Sequence, residues 1–299
     1  MKTLFAAIAI AFFATPALAT PRTTGTIEVQ AGRSLYINWK HAAPGRPTLV
    51  LLNGLTYTTQ AWDAFEKQLV ARGYGVFRYD PTGMGKTLEM TGAVQKIIRI
   101  EDQARDLDLL TKAVGLTGKL DLVGLSYGGG LAIAFAGRYG DRIHSAFMMA
   151  PFTEPLAQQD QQIRAQIAWT RLTFPLNPAS DAELYAYFLR QNVYYIYPLT
   201  EPSMNDSPLK PEAVFQMTQG IRTFDMFAAA RHFPPHTANL MLAGKDQYIP
   251  REYHERFWAN LPAEVRGQRV VIENSEHKIP EAAPEAAAQW IDQVLQATP

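Results

Sequence analysis

The chain contains no cysteine among its 299 residues. That absence excludes a thiol nucleophile, a cysteine-ligated metal centre and a disulfide framework, so stability must come from core packing. It has no excess charge either: Lys+Arg and Asp+Glu both number 28. A balanced chain exerts no long-range pull on nucleic acid or on anionic membranes, so neither is an expected partner. Beyond the N-terminus it also lacks any apolar run long enough to span a bilayer. What remains is a chain 47% hydrophobic and 19% charged, long enough for one large globular unit with an insertion. Its natural partner is a small, neutral or apolar molecule. Oligomeric state is not legible.

The one concentrated apolar stretch lies at the start. Lys2 precedes an apolar run from Leu4 to Phe13, and Ala17-Leu18-Ala19 has the small-x-small pattern of a cleavage site. Residues 1–19 are therefore expected to be a signal peptide, and the mature chain to be exported, periplasmic or secreted. The competing reading is a retained N-terminal helix.

Thr26–Gln30 and Leu35–Trp39 alternate apolar and polar residues around Gly32, as an antiparallel strand pair does. Pro47–Leu52, Tyr74–Tyr79, Lys119–Val123 and Ile143–Met149 are short continuous apolar runs, the pattern of strands buried on both faces. Helical spacing separates them at Thr59–Arg72, Ile97–Val114 and from Gly124 to about Tyr139. Strand and helix in alternation predict an α/β fold, a mostly parallel sheet flanked by helices. From about Thr153 to Pro235 the pattern turns irregular, helical and proline-punctuated, and is expected to be an insertion over one end of the sheet. Alternation resumes with Asn239–Ala243, a helix near Glu252–Ala259, a strand at Arg269–Ile272 and a helix from about Glu281 to Gln296. The expected organisation is a core of residues 20–152 and 236–299 with a helical cap at 153–235.

Gly124-Leu125-Ser126-Tyr127-Gly128 fits G-x-S-x-G, and a strand leads into it while a small-residue helix leads out. A nucleophilic serine needs such a turn to hold its oxygen clear of the sheet. With seven serines and 20 glycines in the chain, chance supplies only about 0.03 such matches. A serine also needs a base. Of six histidines, His277 alone follows the last expected strand, in a polar loop at the sheet end where parallel strands present ligands. His41, His144, His232, His236 and His254 are read as structural. The carboxylate that orients the base is expected to be Asp246, after the strand at 239–243 and in the order Ser, Asp, His. Glu154 is the alternative acid.

These residues resemble the α/β-hydrolase superfamily over nearly the whole mature chain. The resemblance implies that fold, with a cap inserted after the sixth strand. It also implies an oxyanion hole from the backbone N–H groups of Leu55 and Tyr127, with Asn53-Gly54 standing where the family carries His-Gly. Asp80-Pro81-Thr82-Gly83-Met84-Gly85 is similar to a structural loop of the family. Gly85-Lys86-Thr87 resembles the tail of a phosphate loop, but Asp80 stands where that motif needs its first glycine.

The expected activity is that of a serine hydrolase, carboxylesterase-like, cleaving a small or medium apolar ester through an acyl-enzyme. Amidase, peptidase or other acyl-transfer chemistry on the same three residues is the first alternative, and a non-catalytic binding protein the second. No metal or other cofactor is expected: His232 and His236 are four apart, but Pro234-Pro235 prevents the helix that would align them. Trp169, Phe174, Tyr185, Tyr187, Phe188, Tyr194, Tyr195 and Tyr197 are expected to line an apolar pocket or to pack the cap, and Tyr127 to touch substrate.

Overall fold

The computed structural model describes residues 21–297. The expected signal peptide and its cleavage site lie outside the described residues.

Eight strands form one sheet: β1 (Arg22–Gln30), β2 (Arg33–Lys40), β3 (Thr48–Leu52), β4 (Gly75–Asp80), β5 (Leu120–Leu125), β6 (Ile143–Met149), β7 (Ala238–Lys245) and β8 (Arg266–Glu276). Their spatial order is β1-β2-β4-β3-β5-β6-β7-β8. Only the β1–β2 and β2–β4 pairings are antiparallel. From β3 the chain moves outward to β4, then returns to lay β5 on the other side of β3. Neighbouring connections therefore diverge between β3 and β5, which opens a crevice beyond their carboxyl ends.

The apolar runs are continuous because successive side chains serve different layers. Val50 and Leu52 of β3 pack with Leu107 of α3 (Ile100–Ala113) and Leu131 and Phe135 of α4 (Tyr127–Tyr139). Leu49 and Leu51 pack on the opposite face with Phe65 and Leu69 of α1 (Asp63–Ala71) and Ile291 and Val294 of α12 (Pro284–Ala297). A short helix that sequence reading passed over, α2 (Gly85–Thr91), sits between β4 and α3.

Between β6 and β7 the chain is helical: α5 (Ala157–Thr173), α6 (Asp181–Gln191), a π-helical turn (Asn192–Ile196), α7 (Tyr197–Thr200), α8 (Lys210–Arg222) and α9 (Met226–Ala230). Of these, α9 packs on α4 of the sheet layer. α5, the π-helical turn, α7 and α8 border the crevice, and α6 packs on α5. The chain ends with α10 (Arg251–Asn260), α11 (Ile279–Ala282) and α12. Among the described residues no helix is long and apolar enough to cross a membrane.

Several edges differ from expectation. β1 starts at Arg22 and β8 runs on through Glu276, so the stretch expected as a polar loop before His277 is mostly strand. Both are outermost strands, where one or both faces carry polar residues and hydrophobic alternation fades.

Candidate active site

Ser126 sits between β5 and α4 with φ 53° and ψ −112°, a backbone conformation that costs about 1–3 kcal/mol for a non-glycine residue. Hydrogen bonds hold it there from both sides. Its N–H donates to Met149 O at 2.8 Å, and its carbonyl accepts from Gly130 N at 3.1 Å and Phe152 N at 3.0 Å. The turn is possible because of its glycines. A Cβ on Gly124 would lie 2.2 Å from Gly128 O, and one on Gly128 would lie 2.0 Å from Leu52 O. Strand, serine and helix meet at backbone contact, and no side chain fits between them.

β8 delivers His277, which is 6% exposed, and β7 delivers Asp246. His277 Nδ1 lies 2.8 Å from Asp246 Oδ2. The other Asp246 oxygen accepts from the N–H groups of Tyr248 and Ile249, each at 2.9 Å. Burial alone would raise the Asp246 carboxyl, but His277 and these two amides outweigh it and hold it below the usual carboxylate range. An ionised Asp246 accepts from Nδ1–H, which leaves Nε2 as the basic nitrogen. The Tyr248 ring flanks the imidazole, centroid to centroid 5.1 Å. Ser126 and His277 line one cavity, and among the described residues no hydrogen bond joins them. Catalytic hydrogen bonds of this kind often tighten only in the complex with substrate.

Glu154, the alternative acid, is turned away and binds Arg256 Nε at 2.8 Å. Asp246, not Glu154, is the carboxylate brought to His277. Four of the other five histidines are engaged elsewhere. His41 meets Thr23 Oγ1 and His144 meets Asp121, while His236 Nδ1 lies 3.2 Å from the Arg266 carbonyl. His254, on α10, is buried with Nε2 3.1 Å from Pro151 O. Burial pushes its pKa down to about 4, so it is neutral beside the Asp246–His277 pair.

Leu55 and Tyr127 border the same cavity. Tyr127 opens α4, so its N–H has no carbonyl partner inside the helix. Its side chain points elsewhere: the hydroxyl donates to Gln103 Oε1 at 2.8 Å in the core. Asn53 anchors the Leu55 loop from behind. It donates from Nδ2 to Asp80 Oδ1 at 3.2 Å and accepts from Trp62 Nε1 at 2.7 Å. Asp80 also accepts from Thr59 N at 2.8 Å and Lys86 N at 3.0 Å. Burial raises the Asp80 carboxyl to about 6 against these bonds. Since Asp80 takes the Lys86 N–H, the Gly85-Lys86-Thr87 stretch offers no place to a phosphate.

The cavity holds about 270 Å³. Leu55, Leu125, Phe152, Val193, Ile221 and Ile249 give it an apolar middle. Of the eight aromatics expected over the site only Tyr197 lines it. Tyr185, Phe188 and Tyr194 pack against the core, and Trp169, Phe174, Tyr187 and Tyr195 face solvent. Aliphatic residues of the same segment took the place foreseen for aromatics. Three charged residues that sequence reading missed also border the cavity: Glu201 and Lys278, paired at 2.9 Å, and Arg222, which is bonded to Asp160 and Tyr185. The only local signal was that Lys278 follows His277. Among the described residues no group of His, Asp or Glu could hold a metal ion.

A 2-hydroxy-6-oxononadienedioate/2-hydroxy-6-oxononatrienedioate hydrolase of Burkholderia vietnamiensis is 32% identical over 126 residues, 40% of this chain and 42% of that protein. The chain matches less than half the length of such curated relatives. Two solved structures share the fold over far more of it. A thermophilic esterase from Thermogutta terrifontis superposes with a TM-score of 0.64 at 21% identity, covering 93% of this chain and 99% of that one. The enol-lactonase from Burkholderia xenovorans does so with a TM-score of 0.62 at 18% identity, covering 92% and 100%. The model of the Alpha/beta hydrolase family matches residues 49–290, from β3 into α12, and the chain belongs to that family.

Proposed function

We propose that the chain is a serine hydrolase that cleaves a carboxylic ester or a related acyl bond through an acyl-enzyme. The observation that carries this reading is the 2.8 Å contact between His277 Nδ1 and Asp246, beside a serine held on a strained turn in the same cavity. In this scheme His277 Nε2 takes the Ser126 proton as the hydroxyl oxygen attacks the substrate carbonyl. Asp246 stabilises the imidazolium, and the Leu55 and Tyr127 N–H groups receive the developing oxyanion. The imidazolium then protonates the leaving group, and a water activated by the same nitrogen releases the acyl chain. The apolar middle of the cavity supports a substrate of small or medium size, and likeness to an esterase and an enol-lactonase fits esters or lactones. Residues 1–19 support export by their sequence alone.

Labelling with a fluorophosphonate probe tests the proposal. The folded wild type should label, and Ser126→Ala and His277→Ala should not. A folded wild type that resists the probe and leaves p-nitrophenyl esters of every chain length intact would overturn it, in favour of a binding protein.

A further inference from the structure

The cavity beside Ser126 is lined by apolar and uncharged polar side chains except at Arg222, which is spent on Gln159, Asp160 and Tyr185, and where Glu201 and Lys278 meet. Glu201 follows α7 and Lys278 follows His277, so 77 residues of sequence separate them. The Lys278 ammonium reaches both oxygens of Glu201, at 3.0 and 2.9 Å. Glu201 Oε1 also accepts from Ser203 Oγ at 2.6 Å. The pair is neutral overall but unevenly covered. The Glu201 side chain is 3% exposed and that of Lys278 is 30% exposed. The positive end is the one a ligand can reach. An ammonium has three N–H donors, and Glu201 can take at most two of them, which leaves at least one unspent. The Tyr57 ring, 5.8 Å from Nζ, forms an apolar floor under it.

From this geometry we infer that Lys278 selects an acyl substrate carrying an anionic group, a carboxylate, on an otherwise apolar body. This rests on the serine-hydrolase reading and narrows it. Glu201 holds the ammonium in place and offsets the cost of burying it in an apolar wall. The third N–H then makes a charge-assisted hydrogen bond to the substrate anion within reach of His277. Neutral esters still fit the apolar middle, but lose that bond.

Two matched ester pairs test the inference, each read as the ratio of kcat/KM for the anionic member to that of the neutral one. Monoethyl adipate against ethyl hexanoate places the carboxylate on the acyl side. 4-Acetoxybenzoate against phenyl acetate places it on the leaving group. In at least one pair Lys278→Met should lower the ratio about tenfold, the loss of about 1.4 kcal/mol of transition-state binding. Glu201→Gln frees the ammonium of its counter-charge and should raise the same ratio. The double variant, which leaves no unpaired charge, should behave as Lys278→Met does. A pair that only ties the segment above the site to the His277 loop would slow neutral and anionic esters alike in both variants. Unchanged ratios, or ratios lowered by both single variants, overturn the inference. Failure of the serine-hydrolase reading appears separately, as no probe labelling and no turnover. Calorimetric binding of adipate against 1,6-hexanediol then decides: binding of adipate alone, abolished in Lys278→Met, upholds the role of Lys278, and any other result refutes it.

Discussion

The turn at Ser126 and the helical segment between β6 and β7 face each other across one cavity, yet they are held by different means. At the turn, backbone touches backbone: β5 and α4 meet through Gly124 and Gly128, and nearly every residue around them is buried. Across the cavity the helices are joined through long polar side chains. Arg171 binds Asp181, Arg222 binds Asp160 and Tyr185, and Glu212 accepts from Arg190 and Tyr194. Leu172, Leu176 and Leu199 remain exposed. The first arrangement is steric and tolerates nothing. The second combines buried apolar contacts, such as those of Ile163, Leu189 and Met217, with ion pairs, of which solvent-exposed ones such as Arg171–Asp181 are worth about 1 kcal/mol or less and can be exchanged for others. Reactive geometry is fixed by the rigid half, and the shape of the substrate space by the adjustable one.

Four experiments would break or sharpen this contrast. The largest effect is expected at the acid: Asp246→Asn should lower kcat about 10⁴-fold by favouring the wrong imidazole tautomer, while Glu154→Gln should stay within about twofold. Steady-state turnover of one activated ester decides between them. Next comes Gly128→Ala, whose Cβ would meet Leu52 O at 2.0 Å. It should cost more than about 4 kcal/mol, read as loss of soluble protein or collapse of the thermal midpoint.

A third effect concerns Asp80 beneath the oxyanion loop. Its folded pKa of about 6 exceeds the unfolded value of about 3.9. Between these values the unfolded chain has given up the proton and the folded one has kept it, so stability falls as pH rises from about 4 to about 6. The cost from Asp80 reaches about 2–3 kcal/mol above that window. Asp106, also raised to about 6 by burial, adds a decline of the same sign. Burial raises Asp121 as well, so Asp80→Asn should reduce, not abolish, the drop in urea midpoint between pH 4 and pH 7; an undiminished drop would refute the assignment. The smallest effect belongs to the adjustable half. Leu176→Ser, at a residue 93% exposed, should change stability by less than about 0.5 kcal/mol in the same denaturation assay.

The same contrast explains what the sequence made legible. Ser126 announces itself because the steric demand of its turn is local: two glycines, a leading strand and a following helix within a dozen residues. His277 and Asp246 could be assigned from their places after strands, although the polar run before His277 concealed the extension of β8. Asp246 against Glu154 needed three dimensions, since both follow parallel strands and only the direction of the side chain separates them. The helix α2 escaped because its amino end is satisfied by Asp80, outside the usual capping positions. Glu201 and Lys278 carry no mark at all, for their pairing depends on how a proline-broken segment settles over the sheet. Sequence order reports neighbours along a strand well and neighbours across a cavity poorly.

The glycine contacts at the nucleophile also bear on how this chain can change over generations. Every missense change in the Gly124 or Gly128 codon introduces at least a Cβ, because glycine alone lacks one. The stretch around Ser126 has therefore almost no neutral drift open to it, and the mutational load of keeping the chemistry falls on a handful of codons. The exposed positions of the helices from 157 to 222 can accumulate substitutions more freely, whereas Gly220, whose added Cβ would lie 1.9 Å from Ile98 O, and buried residues such as Ile163 and Met217 cannot. Descendants of this chain should diverge in what they accept long before they diverge in how they react.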